Sequence, residues 1–533
     1  MRSNIDPMKP VCLKAAQLRV VAVFNSRFFY TGTGGGPNLS KLKYVCVSDL
    51  HLGADYSLLS RMDADGRVDL LRPAATLAAL GRALRETVRG LSGPELPTLI
   101  LLGDVLDLGQ SPFGEVAQGF KRFVEVMFPP DEPPVFSNQL LTVPGNHDHH
   151  LWRTAQDRFF LQHLSAYRDA KFIPDLLEHT PLFTPGDLSC ELMTQVMQGY
   201  AHLSDARVRI AYPNLGLIDA ERARCVVLHH GHYIDATYRL MSSINSAFRG
   251  GAGRPETVAR IEAENGAWVD FLFSDLGSAG VLGKDIDTLY QMLRDAAASH
   301  RFSQQLSDAL LAKLSSAFGI GGDTRIPLGS GGDTKSPFGI TVANVLKALV
   351  DVTLLRGAQS ERDTYASVMT ADGVSDLRWY LGGPVRRQIG EAGHLRAARD
   401  MSFVFGHTHK PFQDQLAVEG FKQPLAIYNT GGWVMDQPTM TAAQGAAAIL
   451  IDEQLNLGSL RLFNDAQNGK MTPVHAAGVG GFRDADNPLL ENLDAVIGQT
   501  RPLWDEFTAA ARGATELHAS VLLQAFFTPG ALQ

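Results

Sequence analysis

Five short clusters carry residue types that bind metal ions: Asp49-Leu50-His51, Gly103-Asp104 with Asp107, Gly145-Asn146-His147-Asp148, His230-Gly231-His232 and Gly406-His407-Thr408-His409. Each stands at the end of an apolar, strand-like run. Together they offer carboxylates, imidazoles and one amide oxygen in a mix suited to a two-metal hydrolytic centre, because two cations need about four protein ligands each and a shared bridge. Two divalent ions roughly 3.5 to 4 Å apart lower the pKa of a shared water by many units and so yield a positioned hydroxide near neutral pH. Asp104, directly after a glycine at a strand end, has the reach and charge for the bridge. Asp49 and His51 alternate along one strand end and are expected to face one ion; His407 and His409 alternate likewise, one for each ion. Asn146 and His230 complete the second position. His147 stands beside Asp148, and a carboxylate next to an imidazole can orient it and raise its pKa. His147 is therefore assigned as general acid or phosphate contact, with Asp148 or Asp107 in support. Two carboxylates against two dications leave about two positive charges, which favours an anionic phosphate over a peptide as substrate.

The elements that must hold these groups emerge from the hydrophobic pattern. Tyr44 to Val47 leads into the first cluster, Thr98 to Leu102 into the second and Leu140 to Val143 into the third. Between them lie helix-spaced residues, Leu77, Leu80, Leu84, Val88 and Leu91, then Phe120, Val124 and Met127. This βαβαβ order predicts a parallel sheet with its chemistry at the carboxyl ends of the strands. Cys225 to Leu228, Ser402 to Phe405 and Leu425 to Tyr428 are further strands, the last ending in Asn429-Thr430-Gly431-Gly432-Trp433. Alternating runs near Ala447 to Ile451 and Ser459 to Phe463 suit an antiparallel pair that closes the domain.

The α/β core is thus read as residues 42–232 and 401–465, with an insert at about 151–224. Residues 233–400 form a second, mainly helical insertion or cap, with helix-spaced Ile286, Leu289, Leu293 and Leu306, Leu310, Leu314. It also holds a glycine-rich repeat, Ile320 to Pro327 echoed by Ser330 to Pro337, whose two copies are too few for a solenoid and read as a mobile loop, the alternative being a substrate-facing flap. Residues 1–41 are read as an N-terminal extension and 466–533 as a C-terminal helical extension. Asp55 and Asp235 read as solvated loop acids, His149, His150, His229 and His232 as neighbours of the centre, and Trp152 and Trp433 as packing at its rim.

A chain of 533 residues, 45% hydrophobic and 20% charged, is long enough for a large core with insertions. Its net charge of −8 gives no electrostatic case for a nucleic-acid partner, while leaving room for a local basic groove. Cys12, Cys46, Cys190 and Cys225 form no CxxC pair and read as reduced thiols of a cytoplasmic protein. The apolar patch Val20 to Phe24 is too short to span a membrane. The oligomeric state is not legible.

All five blocks, in this order, resemble the signature of the calcineurin-like metallophosphoesterases. The resemblance implies a four-layer αββα sandwich, with Asp49, His51, Asp104 and His409 around one metal and Asp104, Asn146, His230 and His407 around the other. It matches His147 to the family's catalytic histidine. It implies two divalent ions, drawn from Mn, Fe, Zn, Co or Ni, and a phosphodiester or phosphomonoester substrate. Val47-Ser48-Asp49-Leu50-His51-Leu52-Gly53 also resembles the UDP-2,3-diacylglucosamine pyrophosphohydrolases, which typically carry arginine where His147 stands and lack inserts of this size. The alternatives are therefore a lipid-linked or nucleotide pyrophosphohydrolase, or a non-catalytic scaffold on the same fold.

Overall fold

A computed structural model describes residues 41–164, 176–248, 253–275, 367–396, 398–435, 437–466 and 470–527, with residues 308, 323, 341 and 361 singly. The glycine-rich repeat, the helical signals between Ile286 and Leu314 and residues 1–40 lie outside these described residues.

The apolar runs become strands, and their side-chain alternation builds the layers. In the first sheet, β1 (Leu42–Val47), β2 (Thr98–Leu101), β3 (Gln139–Thr142) and β4 (Arg207–Ile210) are parallel neighbours. On the other side of β1, β10 (Gly445–Asp452) and β11 (Leu457–Ala466) continue the sheet antiparallel, with Val45 opposite Leu450 and Cys46 opposite Ile449. The second sheet runs β5 (Asn214–Asp219), β6 (Arg224–His229), β7 (Asp400–Phe405), β9 (Leu425–Asn429) and β8 (Phe412–Leu416). In it β6, β7 and β9 are parallel and the two edge strands antiparallel.

Successive residues of a strand point to opposite faces, and the packing obeys this. Cys46, Ile100, Leu102 and Val143 of the first sheet meet Val226, Leu228, Val404 and Tyr428 of the second in one buried cluster between the sheets. Their neighbours Val45, Val47, Leu99 and Leu101 face outward onto helices α1 (Ala75–Leu91) and α2 (Phe113–Met127). Val227, Phe403, Phe405 and Ile427 face outward on the other side. Three apolar interfaces separate four layers, giving the αββα order. In α1 the helix-spaced Leu77, Leu80, Leu84, Val88 and Leu91 are all buried, each contributing roughly 1.5–3 kcal/mol by leaving water.

The two outer layers are recruited from far along the chain. Helices Pro488–Gln499 and Arg501–Phe527 of the C-terminal extension cover the first sheet together with α1, through Leu489, Leu493, Trp504 and Phe507. The outer face of the second sheet is covered by the ends of the long insertion: the helix Val258–Val269 with Ile261, and the helix Ala371–Tyr380 with Leu377 and Tyr380. These flanks therefore belong to the sandwich, because the aromatic outer face of β7 needs an apolar cover. The stretch read as the smaller insert likewise supplies β4 to one sheet and β5 to the other. Among the described residues no helix is long and apolar enough to cross a membrane.

Candidate metal centre

The parallel strands of both sheets point their carboxyl ends at one buried pocket. β1, β2 and β3 bring Asp49 and His51, Asp104, and Asn146 with His147; β6 and β7 bring His230, and His407 with His409. Alternation in the sequence places Asp49/His51 and His407/His409 on strand ends, each pair sharing a side. The chain departs from strand geometry there. Asp49 (φ 51°), His51 (φ 44°), Asp104 (φ 46°), His407 (φ 69°) and His409 (φ 55°) are five of the seven non-glycine residues with positive φ among the described residues. Such left-handed turns are unfavourable for side chains other than glycine and concentrate at functional sites. Here they are held by backbone bonds between clusters: Asp49 N–H to Gly103 O at 3.0 Å, His51 N–H to Asp104 O at 2.9 Å, and Gly406 N–H to His230 O at 2.7 Å. Glycine precedes three of the candidate ligands, Asp104, Asn146 and His407, for a steric reason: a Cβ on Gly145 would collide with the Asp104 carboxylate. A Cβ on Gly103 would collide with the His230 imidazole, and one on Gly406 with the Asp49 carboxylate.

Two groups of three side chains result, Asp49/His51/His409 and Asp104/His230/His407, each with ligand atoms within 4.8 Å of one another. In the first, His409 Nε2 is 3.2 Å from Asp49 Oδ1. In the second, His230 Nε2 is 3.2 Å from Asp104 Oδ2 and 3.2 Å from Asn146 Oδ1. Asp104 Oδ2 also lies 3.9 Å from His51 Nε2, so this carboxylate stands between the groups. All seven predicted ligands are buried.

The electrostatics suit a cation. Burial pushes the Asp49 carboxyl up to about 7, reinforced by Asp104 and opposed by His230. Burial opposes ionisation of Asp104 as well, but His230 and His147 outweigh it and hold this carboxyl below its usual range. His230 is raised to about 9, since Asp104 and Asp49 outweigh its burial. Burial lowers His51 and His407, which keeps their rings neutral. Their Nε2 atoms are buried and have no hydrogen-bond partner among the described residues. A buried imidazole lone pair without a donor, beside crowded carboxylates, is the donor set a divalent ion satisfies.

His147 is anchored differently from the sequence expectation that puts Asp148 first. Its Nδ1 lies 3.0 Å from Asp107 Oδ1, and the other Asp107 oxygen lies 2.9 Å from His51 Nδ1 and accepts from Tyr56 OH. Burial opposes the charge on Asp107, but His147 and His51 hold its carboxyl well below the usual range. Asp148 turns away, accepting the backbone N–H groups of Gly145 at 2.6 Å, Val105 at 3.0 Å, Asp104 at 3.2 Å and Leu106 at 3.3 Å. Four amides converging on one carboxylate fix the second and third clusters to each other and leave Asp148 no geometry for orienting His147.

Sequence reasoning missed the link between this site and the insertion. His149 is buried between Glu262 of the helix Val258–Val269, whose Oε1 is 3.3 Å from Nε2, and Asp270, whose Oδ1 is 3.3 Å from Nδ1. Glu262 also accepts from Trp152 Nε1 at 3.1 Å and Tyr212 OH at 3.0 Å. Ser274 Oγ accepts the His150 N–H at 2.9 Å and donates to His147 O at 3.3 Å. Trp152 and Trp433 are fully buried packing residues. Asp55 is exposed, as a loop acid should be, whereas Asp235 is buried. The contacts of His149, His150 and Trp152 join helices at positions more than a hundred residues apart in the chain, so position along the sequence held no signal for them.

No curated protein matches the chain. The matching family model, that of the calcineurin-like phosphoesterases, ends before His407 and His409, yet the fold returns both to the same pocket. Over residues 42–273 the chain matches the family model of the calcineurin-like phosphoesterases.

Proposed function

We propose that this protein hydrolyses a phosphodiester or phosphomonoester at a centre of two divalent ions. One would be held by Asp49, His51, Asp104 and His409, the other by Asp104, Asn146, His230 and His407. The family and the buried Asp and His groups support a metal-dependent phosphoester hydrolase. The observation that carries the finer reading is the place of Asp104, within 4 Å of imidazoles from both groups. When bound, the ions would acidify a water and neutralise charge on the phosphate oxygens, and Mn, Fe, Zn, Co and Ni all accept this donor set.

The chain's own groups do the rest. Asp104 aligns the two groups and accepts the His147 N–H at 2.8 Å, tying the third cluster to the shared carboxylate. Asp107 holds His147 Nδ1, and in this reading Nε2 meets the substrate and protonates the leaving oxygen. Ser48 and the His407 N–H, at 3.0 Å, hold the Asp49 carboxylate in place. The buried thiols Cys46, Cys190 and Cys225 are unpaired, which suits a reducing cytoplasm.

Metal analysis with a panel of phosphomonoesters, phosphodiesters and pyrophosphates tests the proposal on wild type, Asp104→Asn and His147→Ala. The expected pattern is lost metal in the first variant, and retained metal with lost turnover in the second. Two bound metals with no hydrolysis of any ester in the wild type would identify a scaffold, and equal activity in all three proteins would remove the assignment.

A further inference from the structure

Asp235, three residues beyond His232, is only 7% exposed. Its Oδ1 accepts the Thr237 N–H at 3.1 Å and so caps the short helical turn Ala236–Arg239. Its Oδ2 has no hydrogen-bond partner among the described residues and lies 3.9 Å from His407 Nε2, which has none either. Two buried polar atoms that face each other unsatisfied call for something between or beside them. The separation discriminates: an N–H···O bond needs about 2.7–3.2 Å, so the pair is too far apart to satisfy itself. Two atoms each about 2.1 Å from one cation, subtending roughly 90–140°, stand about 3–4 Å apart.

We propose that Asp235 is a further ligand of the cation position formed by Asp104, Asn146, His230 and His407, binding through Oδ2. The inference rests on the function proposed above. The loop is built to hold this position. Gly231, at φ 122°, turns the chain beside Gly406 and His407, and two backbone bonds, Ile234 N–H to Gly231 O at 2.9 Å and Asp235 N–H to His232 O at 3.0 Å, stiffen the turn that leads to Asp235. Three residues on, Tyr238 sets its ring edge-on to His407 at 5.1 Å, and its hydroxyl accepts from Asn146 Nδ2 at 3.2 Å, which leaves Asn146 Oδ1 on the His230 side. One short segment thus touches two ligands of the same cation and offers a third.

The substrate class follows from the charge. A third carboxylate lowers the residual charge of the centre from about two positive charges to about one. That balance matches a singly charged phosphodiester better than a doubly charged phosphomonoester. An oxygen-rich position also favours harder ions such as Mn over Zn.

Asp235→Asn and Asp235→Ser separate ligand from cap, because Asn and Ser both cap helical turns well. Manganese binding to the full-length chain is measured by calorimetry and elemental analysis, with melting of the metal-free proteins alongside. The expected result is unchanged melting and roughly 10- to 100-fold weaker binding of one of two ions in both variants. The ratio of kcat/KM for bis(4-nitrophenyl) phosphate over 4-nitrophenyl phosphate, above one in the wild type, falls in both. Two ions bound at wild-type affinity in both variants overturn the assignment while leaving the proposed function intact. A wild type that binds no ion overturns the proposed function, and this inference with it.

Discussion

The two sheets make unequal contributions to the pocket. The first delivers mainly acids and an amide, Asp49, Asp104 and Asn146, with Asp107 and Asp148 behind them; the second delivers imidazoles, His230, His407 and His409. The imidazoles His51 and His147 of the first sheet and the carboxylate Asp235 beyond β6 of the second are the exceptions. Carboxylates thus gather mainly on one side of the inter-sheet seam and imidazoles mainly on the other. A cation is the natural cement between them. Damage to the acid side should therefore cost binding, while damage behind it should cost turnover.

The largest effect is expected at the shared carboxylate. Asp104→Asn should abolish tight binding at both positions and lower kcat/KM roughly 10³-fold or more, read by elemental analysis and steady-state kinetics. His147→Ala sharpens the contrast: both ions should remain, while kcat falls by roughly 10²- to 10⁴-fold. Chelation tests whether the ions join the two sheets. With an ion at about 100 times its Kd, removal should cost about 2.7 kcal/mol of stability, seen as a lower Tm that added Mn restores.

The smallest effect lies outside the seam, where the helix Val258–Val269 docks beside the third cluster. Glu262 and Asp270 outweigh burial and raise His149 to about 9. A raised histidine stabilises fully below its unfolded value of about 6.5, and that stability is lost as pH rises toward 9. Glu262 and Asp270 have lowered carboxyls that stay ionised across this window. Tm should therefore fall by a few degrees between pH 6.5 and 9, and His149→Gln should flatten the profile. A profile equally steep in both proteins would remove His149 as the cause.

The sequence revealed strands with two buried faces most clearly. β1, β2, β6, β7 and β9 read as unbroken apolar runs because both faces are covered, and each run ends where a polar cluster begins. β8, Phe-Gln-Asp-Gln-Leu, is a half-buried edge strand and looks like a loop. β4 is interrupted by arginine and β5 by glycine, so the region holding them reads as an insert although it feeds both sheets. The candidate ligands were legible by residue type and order, but the backbone geometry that brings them together was not. Alternation suggests a strand, whereas the chain uses left-handed turns set by bonds from neighbouring strands. The choice of Asp107 over Asp148 as partner of His147, and the burial of Asp235, depend on the path of loops in space. A linear pattern carries no trace of that.

β1 completes its pairing late in biogenesis. Its parallel neighbour β2 is made soon after it, but its antiparallel neighbour β10 is paired through Leu42 with Asp452, and His407 and His409 also come late. On the ribosome the edge of β1 stays open, and the pocket lacks one wall, until more than four hundred residues have been synthesised. Such long-range pairing slows folding and leaves an edge exposed to aggregation. A nascent chain arrested before His407 would carry all the acidic candidate ligands with neither imidazole of the last cluster, so assembly of the centre waits for that cluster to be made.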